Sequence, residues 1–280
     1  MKVKKYLPSI ITLANLFLGF LSILYIQASE YILACHLILI AALLDSLDGK
    51  LARKIGVTSS FGKEIDSLAD VVSFCLAPSF LVFNILYNSI YINKPFSSYD
   101  ADLIFIYLAM LSSFPVLMGA IRLARFNVEH NEEEVQKYYI GLPSPMSAIA
   151  ICAIILFKLE SLDKSYNLDT AAGIAEINFF TFNIILPLII LLSFLMIGKI
   201  HFSKFPLFSF SHGKQNSIRL VLMMLSIFIM CISTFKGLLH ITLFIFSAYY
   251  ILSNTILHFI NNSIKLNKLR EKLQNKKRGV

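Results

Sequence analysis

The chain has 280 residues, 57% of them hydrophobic and 15% charged, with a mean hydropathy of +0.72. A soluble domain carries about 25% charged residues, so composition excludes one and predicts an all-α, polytopic membrane protein. The net charge of +8 would suit nucleic acid, but the basic residues are distributed as membrane topology requires, and no nucleic-acid partner is expected.

Eight apolar segments are each long enough to span a bilayer: residues 7–28, 31–52, 66–90, 103–125, 142–159, 177–198, 217–235 and 237–260. The start, Met1-Lys2-Val3-Lys4-Lys5, resembles a signal peptide. The apolar run after it is too long for one and lacks a small-residue cleavage site, which predicts a retained first helix. With the N-terminus inside, all of the 25 basic residues except Lys94, Lys158, Lys164 and Lys236 fall in inner segments. The positive-inside rule then puts both termini on the cytoplasmic side of the cell membrane. Residues 91–102 and 160–176 read as outer loops, and Lys236-Gly237 reads as a tight turn between the last two spans. The tail of residues 261–280 is basic, with Ile264, Leu266, Leu269 and Leu273 interleaved. It suits an amphipathic helix on anionic lipid or an ordinary basic stop after the last span. Cys35, Cys75, Cys152 and Cys231 lie in apolar segments without metal-ligand spacing and read as small core residues. The histidines show no pairing with cysteine or with acids that would support nucleophilic catalysis.

One stretch departs from the apolar background. It runs Asp45-x2-Asp48-Gly49-x2-Ala52-Arg53-x8-Gly62-x3-Asp66-x3-Asp70. Asp45 and Asp48 are three apart and Asp66 and Asp70 four apart, so each pair lies on one face of a helix. A short loop carrying Gly56, Ser59, Ser60 and Gly62 would fold the two helices side by side and bring the carboxylates together. A carboxylate in a membrane helix costs on the order of 3 kcal/mol, and clustered like charges repel. Hard divalent cations remove both penalties. The blander reading is a solvated loop whose acids only flank the spans.

These residues match, without a departure, the signature of the CDP-alcohol phosphatidyltransferases, and the chain is identified as resembling that family. The resemblance implies a six-helix core, here residues 1–198, followed by an added transmembrane pair at 199–260 and a basic tail at 261–280. It implies transfer of a phosphatidyl group from a CDP-linked lipid to a small alcohol, with release of CMP. Two divalent cations, Mg²⁺ or Mn²⁺, are implied at Asp45, Asp48, Asp66 and Asp70, with Asp70 also the general base. Gly49, Ala52, Arg53, Ser59 and Gly62 would hold the CDP-lipid donor. Family members are often dimers, so a homodimer is the expected assembly.

Four flanking stretches narrow the acceptor: Leu7 to Asn15, Asp66 to Ser79, Arg122 to Asn127, and Gly141 to Pro145. Together they resemble the membrane-embedded phosphatidylserine synthases, which use CDP-diacylglycerol and L-serine. Serine is a zwitterion, so its site needs a cation for the carboxylate. Arg122 and Arg125 are candidates, with Asn127 and Ser144 as helpers. The alternative for either arginine is an anchor that reaches headgroups. Two other functions compete. One is a sister enzyme using glycerol 3-phosphate or an inositol phosphate. The other is a cation-coupled transporter, which would place its acids near the bilayer midplane and show internal repeats.

Overall fold

A computed structural model of the chain describes residues 3–55, 60–91, 98–129, 138–163, 181–203 and 214–277. Helix α1 (Val3–Gln27) turns back through Ala28-Ser29-Glu30 into α2 (Tyr31–Ile55). Ser29 adopts φ 63°, and the Ser29 and Glu30 amides bond the carbonyls of Ile26 (3.0 Å) and Tyr25 (2.9 Å). This is a helix C-cap of the left-handed type, made here by serine rather than glycine.

Helix α3 (Ser60–Asp70) continues through a π-helical turn (Val71–Leu76) into α4 (Ala77–Tyr91). The helix starts earlier than the sequence suggests. Ser60 and Gly62 belong to its first turns, because Phe61, Ile65, Leu68 and Ala69 follow helical spacing. Gly56 and Ser59 lie outside the described residues. The π turn sits next to Pro78, which has no amide proton to close a regular turn.

The expected fourth span is two pieces, α5 (Ser98–Ser112) and α6 (Phe114–Glu129). Pro115 forces the break at Ser113. Helix α7 (Ser144–Asp163) is apolar all round and runs through the core, with Met146, Ile151, Cys152, Ile155 and Leu156 buried. A second π turn (Thr181–Ile185) leads into α8 (Leu186–Ile197). The C-terminal pair is α9 (Lys214–Phe235) and α10 (Leu239–Lys277), joined at Lys236-Gly237 as expected, with Gly237 at φ 66°. Helix α10 packs on α7, and α9 packs on α10. Helix α10 runs unbroken from the last span through Lys277.

Five of these helical stretches are long and apolar enough to cross a membrane: Pro8–Gln27, Tyr31–Gly49, Phe61–Ile90, Asp102–Val128 and Leu239–Ser263. Ser144–Leu159, Phe182–Ile197 and Leu220–Phe235 are shorter apolar helices. The all-α, polytopic membrane class therefore holds, with one small addition. Strand β1 (Tyr138–Ile140) pairs antiparallel with β2 (His201–Ser203), placing Tyr139 opposite Phe202. Cys35, Cys75 and Cys152 are buried as expected, but Cys231 is exposed. It lies on α9, most of whose large apolar side chains face outward.

Candidate active site

The N-terminal part of α1, the C-terminal part of α2 and helix α3 meet. Asp45, Asp48 and Asp66 each offer a carboxylate oxygen within 4.8 Å of the others. Asp70 stands beside them, within hydrogen-bond reach of Asp45. Asp48 and Asp70 are buried, while Asp45 and Asp66 are half-buried. Among the described residues none of the four is ion-paired with a lysine or arginine, and Asp66 Oδ1 and Asp70 Oδ1 are buried without a partner. Four carboxylates at the end of an apolar helix bundle, with oxygens left over, form a donor set that fits hard divalent cations.

Two polar arms hold this centre. On one side, Thr12 Oγ1 of α1 donates to Asp48 Oδ2 at 2.8 Å. On the other, Ser144 Oγ donates to Asp70 Oδ2 at 3.2 Å and accepts from Arg122 Nη1 at 3.2 Å. Arg122 is itself buried, and its Nε has no partner among the described residues. The π turn after Asp70 is locked to α1, since Ser73 Oγ donates to the Asn15 carbonyl at 3.0 Å. A Cβ on Gly19 would lie 2.3 Å from Ser73 Oγ, so only glycine allows this approach.

The remaining sequence candidates are placed as follows. A Cβ added at Gly49 would meet nothing within 4 Å among the described residues, so beside Asp48 they leave open space. Ala52 and Arg53 lie in the last turns of α2, and Gly62 lies one turn before Asp66 in α3. Arg125 does not join the carboxylates. Its Nη1 donates to the Ile197 carbonyl at 3.1 Å and its Nη2 to Ile140 at 3.4 Å, tying the end of α8 to β1. Beside it, Gly141 at φ 78° is held close against Met196, where a Cβ would lie 2.2 Å from the carbonyl oxygen. Asn127 bonds Ser67 at 3.0 Å, joining α6 to α3.

Sequence reasoning passed over Thr12, Asn15, Ser73 and Ser147 as individual site residues. Ser147 Oγ, one turn after Ser144, is buried without a partner among the described residues. A signal existed on α1. Pro8, Thr12, Asn15, Gly19 and Ser22 recur every three or four residues in an otherwise apolar helix, and all five are buried. In membrane helices such small and polar stripes mark close contacts.

The sequence model of the CDP-alcohol phosphatidyltransferase family matches residues 5–182. A CDP-diacylglycerol–serine O-phosphatidyltransferase of Helicobacter pylori is 34% identical over 198 residues, covering 71% of this chain and 72% of the relative. A protein of the same name from Bacillus subtilis is 31% identical over 213 residues, covering 75% of this chain and 95% of the relative. An archaetidylserine synthase of Methanothermobacter thermautotrophicus is 37% identical over 152 residues, covering 54% and 58%.

Proposed function

Because the chain belongs to the CDP-alcohol phosphatidyltransferase family, we propose that it transfers the phosphatidyl group of CDP-diacylglycerol to the hydroxyl of L-serine, giving phosphatidylserine and CMP. The observation that carries this reading is the carboxylate cluster at the inner ends of apolar helices, with Asp70 linked through Ser144 to a buried arginine. The donor is anchored by its acyl chains, so its diphosphate lies at headgroup level, where α2 ends and α3 begins. Asp45, Asp48, Asp66 and Asp70 would hold two divalent cations, Mg²⁺ or Mn²⁺, which when bound supply neutralising charge for the diphosphate and its transition state.

The protein's own groups do the rest. The space beside Gly49 would admit the nucleotide, and Arg53, which the family motif carries in the last turns of α2, would take phosphate oxygens. The serine hydroxyl attacks the phosphorus bearing the diacylglycerol unit. The bond from that phosphorus to the bridging oxygen breaks, and CMP leaves with the electron pair. Asp70 takes the hydroxyl proton through its unpartnered Oδ1, while Ser144 keeps the other oxygen oriented. Arg122 offers a buried cation for the serine carboxylate, whereas Arg125 is engaged with backbone carbonyls.

Two considerations favour serine over a phosphorylated acceptor. The names of the bacterial and archaeal relatives differ in the lipid but share serine. A phosphate monoester would also add about two negative charges to a centre already holding four carboxylates. The basic inner segments support an active site facing the cytoplasm, with the protein in the cell membrane; the homodimer is what the family resemblance implies.

The test is CMP release by purified protein in detergent with CDP-diacylglycerol and a divalent metal. L-Serine, glycerol 3-phosphate and inositol phosphate are supplied separately. Release only with serine, lost in Asp66→Asn, is expected. Release only with another alcohol moves the acceptor, and no release by folded protein refutes the enzyme reading.

A further inference from the structure

The buried stripe of α1 contains one group without an occupation. Thr12 bonds Asp48, Gly19 makes room for Ser73, and Ser22 Oγ donates to the Gly19 carbonyl at 2.7 Å. Asn15 lies between them at 0% exposure, and neither its Oδ1 nor its Nδ2 has a partner among the described residues. Burying an amide without hydrogen bonds is unfavourable. The surrounding fold satisfies Thr12, Ser22 and Ser73, so an empty amide at this place points to a ligand.

Its depth follows from helix geometry. A helical carbonyl points toward the C-terminus, and the Cα–Cβ bond tilts toward the N-terminus. The Asn15 carbonyl meets Ser73, one turn beyond Asp70. Its side chain therefore leans back toward the Thr12 turn, which is fixed to Asp48. The amide thus lies between the level of the Thr12–Asp48 bond and that of Ser73, on the stripe of α1 that faces the carboxylates.

We propose that Asn15 selects an α-amino acid as the acceptor, by a two-point contact with its ammonium and its carboxylate. A primary amide displays an acceptor and a donor side by side. An α-amino acid displays a donor and an acceptor on one carbon. Oδ1 accepts from the ammonium and Nδ2 donates to one carboxylate oxygen, while Arg122 takes the other oxygen. A polyol phosphate has no ammonium and leaves Oδ1 buried and unpaired, which is the strong form of rejection in a polar site. This assignment rests on the serine-transfer reading and adds the residue that reads the acceptor.

The experiment uses the full chain in detergent, with CDP-diacylglycerol and Mn²⁺, and compares the wild type with Asn15→Leu and Asn15→Asp. Four quantities are measured: KM for serine, KM for CDP-diacylglycerol, CMP binding by calorimetry, and melting temperature. Asn15→Leu, close in volume and unable to hydrogen-bond, should raise the serine KM by at least about tenfold, as loss of bonds to a charged ligand predicts. CMP binding, the donor KM and the melting temperature should hold. Asn15→Asp keeps an acceptor for the ammonium and repels the carboxylate. It should shift the rate ratio of ethanolamine to serine upward relative to the wild type. A serine KM within about twofold of wild type in both variants overturns the proposal. So does a rise confined to the donor KM, or a lower melting temperature with lost CMP binding, which would make Asn15 structural. Wild-type protein that ignores serine takes down the functional reading itself, and this assignment with it.

Discussion

Replacing Thr12 with valine removes one hydroxyl and leaves the shape of the side chain. In the structure that hydroxyl lies 2.8 Å from Asp48 Oδ2 and 3.1 Å from the Pro8 carbonyl. Its single proton goes to the nearer and charged acceptor, because charge-assisted hydrogen bonds are the stronger. Asp48 is 4% exposed, so water cannot replace the lost donor. A hydrogen bond to a charged group contributes about 1.5–3 kcal/mol, or roughly 10- to 150-fold in an equilibrium constant. Two effects oppose each other. Without Thr12 the carboxylate has more charge to offer a cation, which strengthens binding. It also loses its fixed plane and its compensation for burial, which weakens binding. The second wins where ligands are held by outer partners, whose loss reduces metal affinity about 10- to 100-fold. Thr12→Val should therefore need about 10- to 100-fold more Mn²⁺ for half-maximal CMP release, with most of the rate recovered at saturating metal. Electron paramagnetic resonance of bound Mn²⁺ reads the same shift without turnover. Unchanged or tighter Mn²⁺ binding would refute the view that Thr12 positions a metal-binding carboxylate.

Three further outcomes are expected. Gly19→Ala puts a Cβ 2.8 Å from Ser73 Cα, a backbone atom that no rotamer change can move. Overpacking of about 1–3 kcal/mol outweighs the roughly 0.5–1 kcal/mol gained by removing a helical glycine, so thermal unfolding in detergent should come several degrees earlier. Arg125→Ala loses the bonds to Ile197 and Ile140. The melting temperature should fall while the serine KM stays within about twofold, whereas Arg122→Lys should raise that KM. Asp66→Asn should lower CMP release by at least about a thousandfold, the scale of several kcal/mol of metal-borne charge stabilisation. In metal-free buffer it should melt no lower than wild type, because it relieves repulsion among carboxylates.

The spans and the aspartate motif were legible because both are carried by period. Apolar runs of about 20 residues mark candidate membrane helices, five of which reach spanning length in the structure, and carboxylates three or four apart in a helix share a face. Three features carried no period. The ribbon of Tyr138–Ile140 with His201–Ser203 joins two three-residue strands far apart in sequence. It forms where Gly141 turns back against Met196, with the Gly141 amide bonded to the Ile200 carbonyl at 2.8 Å and Arg125 bridging the two segments. The π turn at Val71–Leu76 cannot be told from a regular helix by composition. Pro78 was its visible cue. The early start of α3 was hidden because Ser60 and Gly62 read as loop residues, and only the apolar spacing of Phe61, Ile65 and Leu68 argued otherwise.

The site was legible in its acids and not in what holds them. Arg122 and Arg125 sit three apart on one helix and invited one assignment, yet their surroundings separate them. Arg122 reaches Ser144 and, through it, Asp70, while Arg125 reaches two backbone carbonyls. Their sequence spacing gives no hint of this, because it depends on α7 beginning beside α6 and on α8 ending there. The same holds for α1. The recurrence of Pro8, Thr12, Asn15, Gly19 and Ser22 shows that Thr12 and Asn15 share a side of the helix. It cannot show which of them already has a partner. Thr12 has Asp48, whereas the Asn15 side-chain amide has no partner among the described residues. Two polar residues of similar size on one buried stripe thus carry different work. The satisfied one fixes a carboxylate of the protein, and the unsatisfied one is left to read what enters beside it.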